Sequence, residues 1–108
     1  MASGSLHNVV SLIPRDHKME DILRTFSDFA AYVKSNESGT LQYYAVKPEG
    51  RNELIIIEKY ANRDALKHHA ESEAFNTFQQ EVGLFLESPP VIRRAVGFWG
   101  FENRNSAM

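Results

Sequence analysis

Cysteine is missing from the sequence altogether. Disulfide frameworks, thiolate nucleophiles and cysteine-bound metal are therefore excluded as sources of stability or chemistry. An excess of one charge is missing too: 12 Lys and Arg face 14 Asp and Glu, for a formal net charge of -2. Such a balance gives nucleic acid or an anionic membrane surface nothing to hold, and neither is expected as a partner. No apolar run approaches the roughly 20 residues needed to cross a bilayer. Residues 1–5, Met-Ala-Ser-Gly-Ser, lack the basic and apolar stretches of a secretory leader, so a cytoplasmic protein is expected. Glycine loops of the phosphate-binding kind are absent. His7 and His17 have no partners at metal-ligand spacing, and no metal site is expected.

What remains is an ordinary globular composition, 43% hydrophobic and 24% charged over 108 residues. That length supports one hydrophobic core and not two. The reading is a flexible start at 1–5, one domain over 6–100 and a loose polar tail at 101–108.

Residues 6–13, Leu-His-Asn-Val-Val-Ser-Leu-Ile before Pro14, form a β-rich run closed by a breaker. Alternation puts Leu6, Asn8, Val10 and Leu12 on one face and His7, Val9, Ser11 and Ile13 on the other. Met19, Ile22, Phe26, Phe29 or Ala30, and Val33 then recur at three- and four-residue steps, with charged residues falling between them. This predicts a half-buried helix of roughly 16–18 residues, with Asp16 as its cap and Ser38-Gly39 as its end. A hairpin follows, strands 41–47 and 53–60 around a loop at 48–52. In its second strand Leu54, Ile56, Glu58 and Tyr60 share a face, and Ile55 and Ile57 take the other. Asn62 caps a short helix over 65–71, and Ser72 caps another running to about 86, with Phe75, Phe78, Val82 and Phe85 or Leu86 as its apolar stripe. Pro89 and Pro90 break it, and 91–99 is a last strand.

The order is β-α-β-β-α-β with the second helix broken near Ser72. It predicts an α+β, ferredoxin-like fold: a four-stranded antiparallel sheet with its helices on one face. The other face carries apolar residues such as Ile55 or Ile56, a patch too large to leave in water. Pairing two such faces removes it, so a homodimer is expected.

Three segments in order, Gly39-Thr-Leu-Gln-Tyr43, Ile57-Glu58-Lys59-Tyr60 and Ala65-Leu66-Lys67-His68-His69-Ala70-Glu71-Ser72-Glu73-Ala74-Phe75, resemble the antibiotic biosynthesis monooxygenase domain. In that family a Gly and a Tyr open the second strand, Glu-x-Trp or Glu-x-Tyr closes the third, and Ala-Leu-x-x-His-x-x-Ser-x-x-Phe forms the helix. The resemblance spans roughly 8–97. It implies a dimeric α/β barrel and, in characterised members, oxygenation of a small apolar or aromatic substrate by O₂ without metal or flavin. A polyketide, a quinol or a lipid-derived acid fits that description. The alternatives are a non-catalytic ligand-binding dimer of the same fold and a haem-degrading monooxygenase.

Cofactor-independent oxygenation needs a dry pocket, one base or proton relay and a donor for the developing oxyanion. The resemblance assigns the pocket to Phe26, Phe29, Tyr43, Phe78 and Phe85, with Glu58 orienting a neighbour. His69 occupies the family's His position, and imidazole suits proton transfer near neutrality. Tyr60 occupies the aromatic position and is expected to hold a substrate ring, while Asn8 on the first strand is expected to face oxygen or the oxyanion. His68, about 100° round the helix from His69, is expected to be solvated. The Arg93-Arg94 pair is expected in solvent or at an interface, with the option of holding an acidic substrate. Two positions depart from close relatives: Ile56 stands where anthrone oxygenases carry Asn, and Tyr60 stands where haem degraders carry Trp.

Overall fold

The computed structural model describes residues 5–105. Strand β1 (Leu6–Leu12) leads into helix α1 (Met19–Asn36), then β2 (Thr40–Val46), β3 (Leu54–Tyr60), α2 (Arg63–Glu71), α3 (Glu73–Gly83) and β4 (Val91–Val96). The sheet order is β2-β3-β1-β4 and every pairing is antiparallel. This is the ferredoxin-like α+β arrangement expected from the element order. No helix among the described residues is long and apolar enough to cross a membrane.

Alternation is obeyed along β1 and β3. Leu6, Asn8, Val10 and Leu12, with Leu54, Ile56, Glu58 and Tyr60, are all buried under the helix layer. Ile22, Phe26, Phe29 and Val33 of α1 and Phe78 and Val82 of α3 complete the core. Each such side chain contributes about 1.5–3 kcal/mol by leaving water. The opposite face carries Val9, Ile55 and Ile57, half-buried, beside Tyr44, Val46 and Val91. Of the alternatives Ile55 or Ile56 for that face, Ile55 lies on it and Ile56 is fully buried on the helix side, where it pairs with Val10. The helices pack over β2 and β3, leaving every residue of β4 exposed on both sides.

Boundaries moved where long-range pairing overrode local signals. Asp16 does not cap α1: residues 15–18 form a turn closed by Lys18 N–H to the Arg15 carbonyl (3.1 Å), with His17 at φ 66, and Lys18 takes the cap position without a side-chain bond. The chain must turn there because Pro14 bridges Leu86 and Arg15 N–H bonds the Phe85 carbonyl. The same bridge ends α3 at Gly83, short of the expected 86. Strand β4 stops at Val96, opposite Leu6 at the start of β1. There Gly97 N–H bonds the Ser5 carbonyl at 2.8 Å, and a Cβ on Gly97 would lie 2.0 Å from Ser5 Oγ. The caps Asn62 and Ser72 stand as expected, accepting from Ala65 N–H and Phe75 N–H. Of the expected flexible start, residues 1–4 lie outside the described residues, as do 106–108 of the expected tail. Within that tail Glu102 bonds Lys59 Nζ.

Candidate functional site

The strand register aligns four polar side chains into one row on the helix face. Tyr43 of β2 pairs with Glu58 of β3, Glu58 with Asn8 of β1, and Asn8 with Arg94 of β4. The next row is apolar: Ala45, Ile56, Val10 and Ile92. All of these but Ala45 floor a cavity of about 600 Å³, roofed by α2 and α3 through Leu66, His69, Phe75, Phe78 and Val82. It exists because the helix layer stops short of β4, so the cavity opens at that edge, past Pro90, Ile92 and Arg94.

Glu58 is 5% exposed, a carboxylate that burial would penalise without partners. Two neutral donors serve its Oε1: the Tyr60 hydroxyl at 2.5 Å and the Asn8 side-chain amide at 3.1 Å. Asn8 in turn accepts from Arg94 Nε–H at 2.7 Å. Burial, and then the adjacent Glu58 charge, push the Tyr60 hydroxyl far above the usual tyrosine range, and the same causes raise Tyr43. Both hydroxyls therefore stay protonated across the working range, and that of Tyr60 donates to Glu58.

The second buried carboxylate is Glu37, at the C-terminal cap of α1. It meets His69 of α2, whose Nδ1 lies 2.8 Å from Glu37 Oε1; Thr40 Oγ1–H donates to the same oxygen, also at 2.8 Å. A carboxylate only accepts, so Nδ1 carries the proton, and a neutral ring leaves the Nε2 lone pair free. Nε2 is buried and has no hydrogen-bond partner, nor has Glu37 Oε2. Phe29, Tyr43, Tyr60 and Phe75 surround the imidazole with ring centroids 4.9–5.6 Å away. Gly39 makes the pairing possible. A Cβ there would fall 2.6 Å from Ala65 Cβ, holding α2 off the segment that carries Glu37. Gly39 thus serves close approach rather than ending α1 in a left-handed turn, since α1 closes two residues earlier with Glu37 as its C-cap.

Of the residues singled out in the sequence, His69, Asn8, Tyr43, Glu58 and Phe78 line the cavity. Tyr60 does not: it is fully buried beside Leu6 and Leu66, with its hydroxyl on Glu58 and its ring against His69. Phe26 and Phe29 stack within the core against Tyr43 and Phe78, and Phe85 packs at the end of α3 near Lys18. None of these three lines the cavity. Arg94, expected in solvent or at an interface, stands at the cavity mouth, while Arg93 opposes Val9 on the other face. His68 is exposed, as expected. Glu37 was not anticipated. Its one local signal is a carboxylate at the negative end of a helix, an unfavourable place unless a cation or donor is brought to it. Among the described residues no group of three or more His, Asp or Glu is placed to hold a metal ion.

Comparison with known proteins agrees with this architecture. No curated protein matches the sequence. A Caulobacter crescentus structure, provisionally named an antibiotic biosynthesis monooxygenase, is 30% identical, with 89% of this chain and 92% of that one covered at a TM-score of 0.84. A Nitrosomonas europaea protein provisionally given the same name superposes at 0.83 with 14% identity over 92% and 95% of the two chains. A Mycobacterium tuberculosis protein superposes at 0.81 with 18% identity over 95% and 100%. The last two likenesses speak for the fold alone. The family model for antibiotic biosynthesis monooxygenases matches residues 5–81, and the chain belongs to that family.

Proposed function

We propose that the protein is a cofactor-independent monooxygenase that oxidises a small apolar or aromatic substrate at an acidic C–H or phenolic position with O₂. The observation that carries the reading is His69 Nε2, a buried nitrogen with no partner, on a ring fixed through Nδ1 by a buried carboxylate, in the wall of an apolar cavity. A buried polar atom left unpaired costs about 1–3 kcal/mol, so a group that pairs it is expected in the working state. A substrate proton is such a group.

For a methylene substrate the step balances without an external reductant. His69 Nε2 takes a proton from the CH₂ group, and the carbanion passes one electron to O₂. The radical pair then joins as a peroxide anion, which takes up a proton to become a hydroperoxide. Loss of the second carbon proton with cleavage of the O–O bond gives the ketone and water. The CH₂ group supplies all four electrons that O₂ accepts. The developing negative oxygen requires donors. Asn8 has a second amide N–H beyond the one given to Glu58, and the protonated Tyr43 hydroxyl lies on the same row.

The proposed working unit is a pair of chains. Val9, Ile55, Ile57, Tyr44, Val46 and Val91 form an apolar face with no helix over it, and a second copy of that face is its natural cover. Sedimentation should give twice the chain mass, and Ile57→Glu should give the monomer.

The activity is tested by O₂ uptake with anthrones, quinols and lipid-derived acids. Turnover of at least one class, lost in His69→Ala, is the expected result. An absence of uptake across the whole panel would overturn the oxygenase and leave a ligand-binding dimer.

A further inference from the structure

The polar row on the cavity floor ends in a guanidinium that is held rather than loose. Arg94 belongs to an exposed edge strand, yet its Nε is anchored to Asn8, which is itself 7% exposed and anchored to Glu58, which takes the Tyr60 hydroxyl. This chain of bonds spends only Nε–H. The outer Nη edge, which matches a carboxylate bidentately, is left without a carboxylate among the described residues. Arg63 and Lys67 of α2 line the same cavity and likewise form no ion pair among the described residues. Acids are the more numerous charge in this sequence, but among the described residues the one carboxylate lining the cavity is Glu58, already served by two donors. The cavity is therefore mostly apolar in its lining apart from that polar row, and Arg63, Lys67 and Arg94 make its charge positive.

The opposite end of the row is Tyr43, whose ring lies 5.3 Å from His69. Strands sit about 4.8 Å apart, so the three spacings from β4 to β2 make roughly 14 Å. A molecule lying along this floor has a cation at one end and an unpaired imidazole nitrogen at the other, with Ile92, Val10 and Ile56 beneath its middle.

We infer that the ligand of this cavity is an elongated apolar anion. Its charged group, a carboxylate or an equivalent single anion, is held at the mouth by Arg94 with Arg63 and Lys67, and its apolar body runs inward to His69. The inference rests on the oxygenase reading only for which end reacts. The binding itself follows from the lining.

Two dyes that share an aromatic body and differ in charge test it on the full-length protein: 8-anilinonaphthalene-1-sulfonate, an anion, and N-phenyl-1-naphthylamine, its neutral counterpart. Fluorescence titration in about 50 mM salt should show the anion binding at least about tenfold more tightly, as expected for a charge-assisted pair. Arg94→Gln should remove most of that preference while leaving the neutral dye within about twofold. Arg63→Gln with Lys67→Gln should remove a smaller part. Gln79→Trp, an exposed substitution at the cavity rim, should weaken both dyes. Equal affinity for the two dyes, or a preference that survives Arg94→Gln, would overturn the proposal. So would anion binding indifferent to Gln79→Trp, which would put the dye elsewhere, as on the open sheet face. Absent O₂ uptake with the charge preference intact would sink the oxygenase and keep the ligand class; turnover without the preference would do the reverse.

Discussion

Glu58 and Glu37 are both buried carboxylates, at 5% and 3% exposure, and both concentrate two hydrogen bonds on one oxygen. Their partners differ in kind. Glu58 is held by an amide and by a phenol that stays protonated, and its bonds run outward to Arg94 as a fixed scaffold. Glu37 is held by a hydroxyl and an imidazole, and that imidazole keeps a buried nitrogen unpaired. The first arrangement is satisfied and orients a floor. The second is incomplete, and an incomplete buried network is where binding or proton transfer has something to gain.

The comparison is most sharply broken at His69. His69→Ala should lower O₂ turnover by about a hundredfold or more, the usual contribution of a positioned base, while the anionic dye still binds. Turnover retained within threefold would remove His69 from the chemistry. Glu37→Ala comes next. It leaves the ring unanchored and should reduce turnover by about tenfold or more, and it should cost about 3 kcal/mol of stability in chemical denaturation, because one member of a buried pair is removed. Glu37→Gln, which preserves the Nδ1 acceptor, should recover most of that stability.

Gly39→Ala attacks the same pair from outside. Its Cβ meets Ala65 at 2.6 Å, and overpacking of this kind costs about 1–3 kcal/mol. Turnover should fall with stability as α2 is displaced, and Ala65→Gly in the same chain should restore both. Tyr60→Phe probes the satisfied carboxylate. It should cost about 1–2 kcal/mol through the lost bond to Glu58, with turnover changed less than threefold, since Tyr60 does not line the cavity.

The smallest effect is alkaline. Tyr43 and Tyr60 titrate above their ordinary value of 10.0 in the folded chain. The folded state thus holds protons that the unfolded state releases, so their contribution is complete below pH 10 and is lost as pH rises above it. Circular dichroism should show stability falling above that pH, with a shallower fall in Tyr60→Phe.

Periodicity carried most of the architecture. Two-residue alternation in 6–12 and 54–60 assigned Asn8 and Glu58 to the same face as Val10 and Ile56, and that face is the buried one. The stripes of α1 and α3 and the caps Asn62 and Ser72 were equally local. Less legible was the placement of residues whose surroundings depend on distant partners. Tyr60 shares a face with Glu58 but is packed under Leu6 and Leu66, so its place outside the cavity lining depends on groups distant in sequence. Phe26 and Phe29 are core for the reason that helically spaced phenylalanines usually are: their stripe faces the sheet.

Residue type and spacing alone determined the element order, the family motifs and His69 as the imidazole of interest, because those depend on neighbours within a few residues. The tertiary structure decided which groups His69 and Asn8 meet. Glu37 is 32 residues from His69, and Arg94 is 86 from Asn8. Those pairs exist only because antiparallel register and the close approach at Gly39 bring separate segments together. Alternation and turn geometry constrain the register of each strand pair, and only the assembled sheet carries it across all four strands.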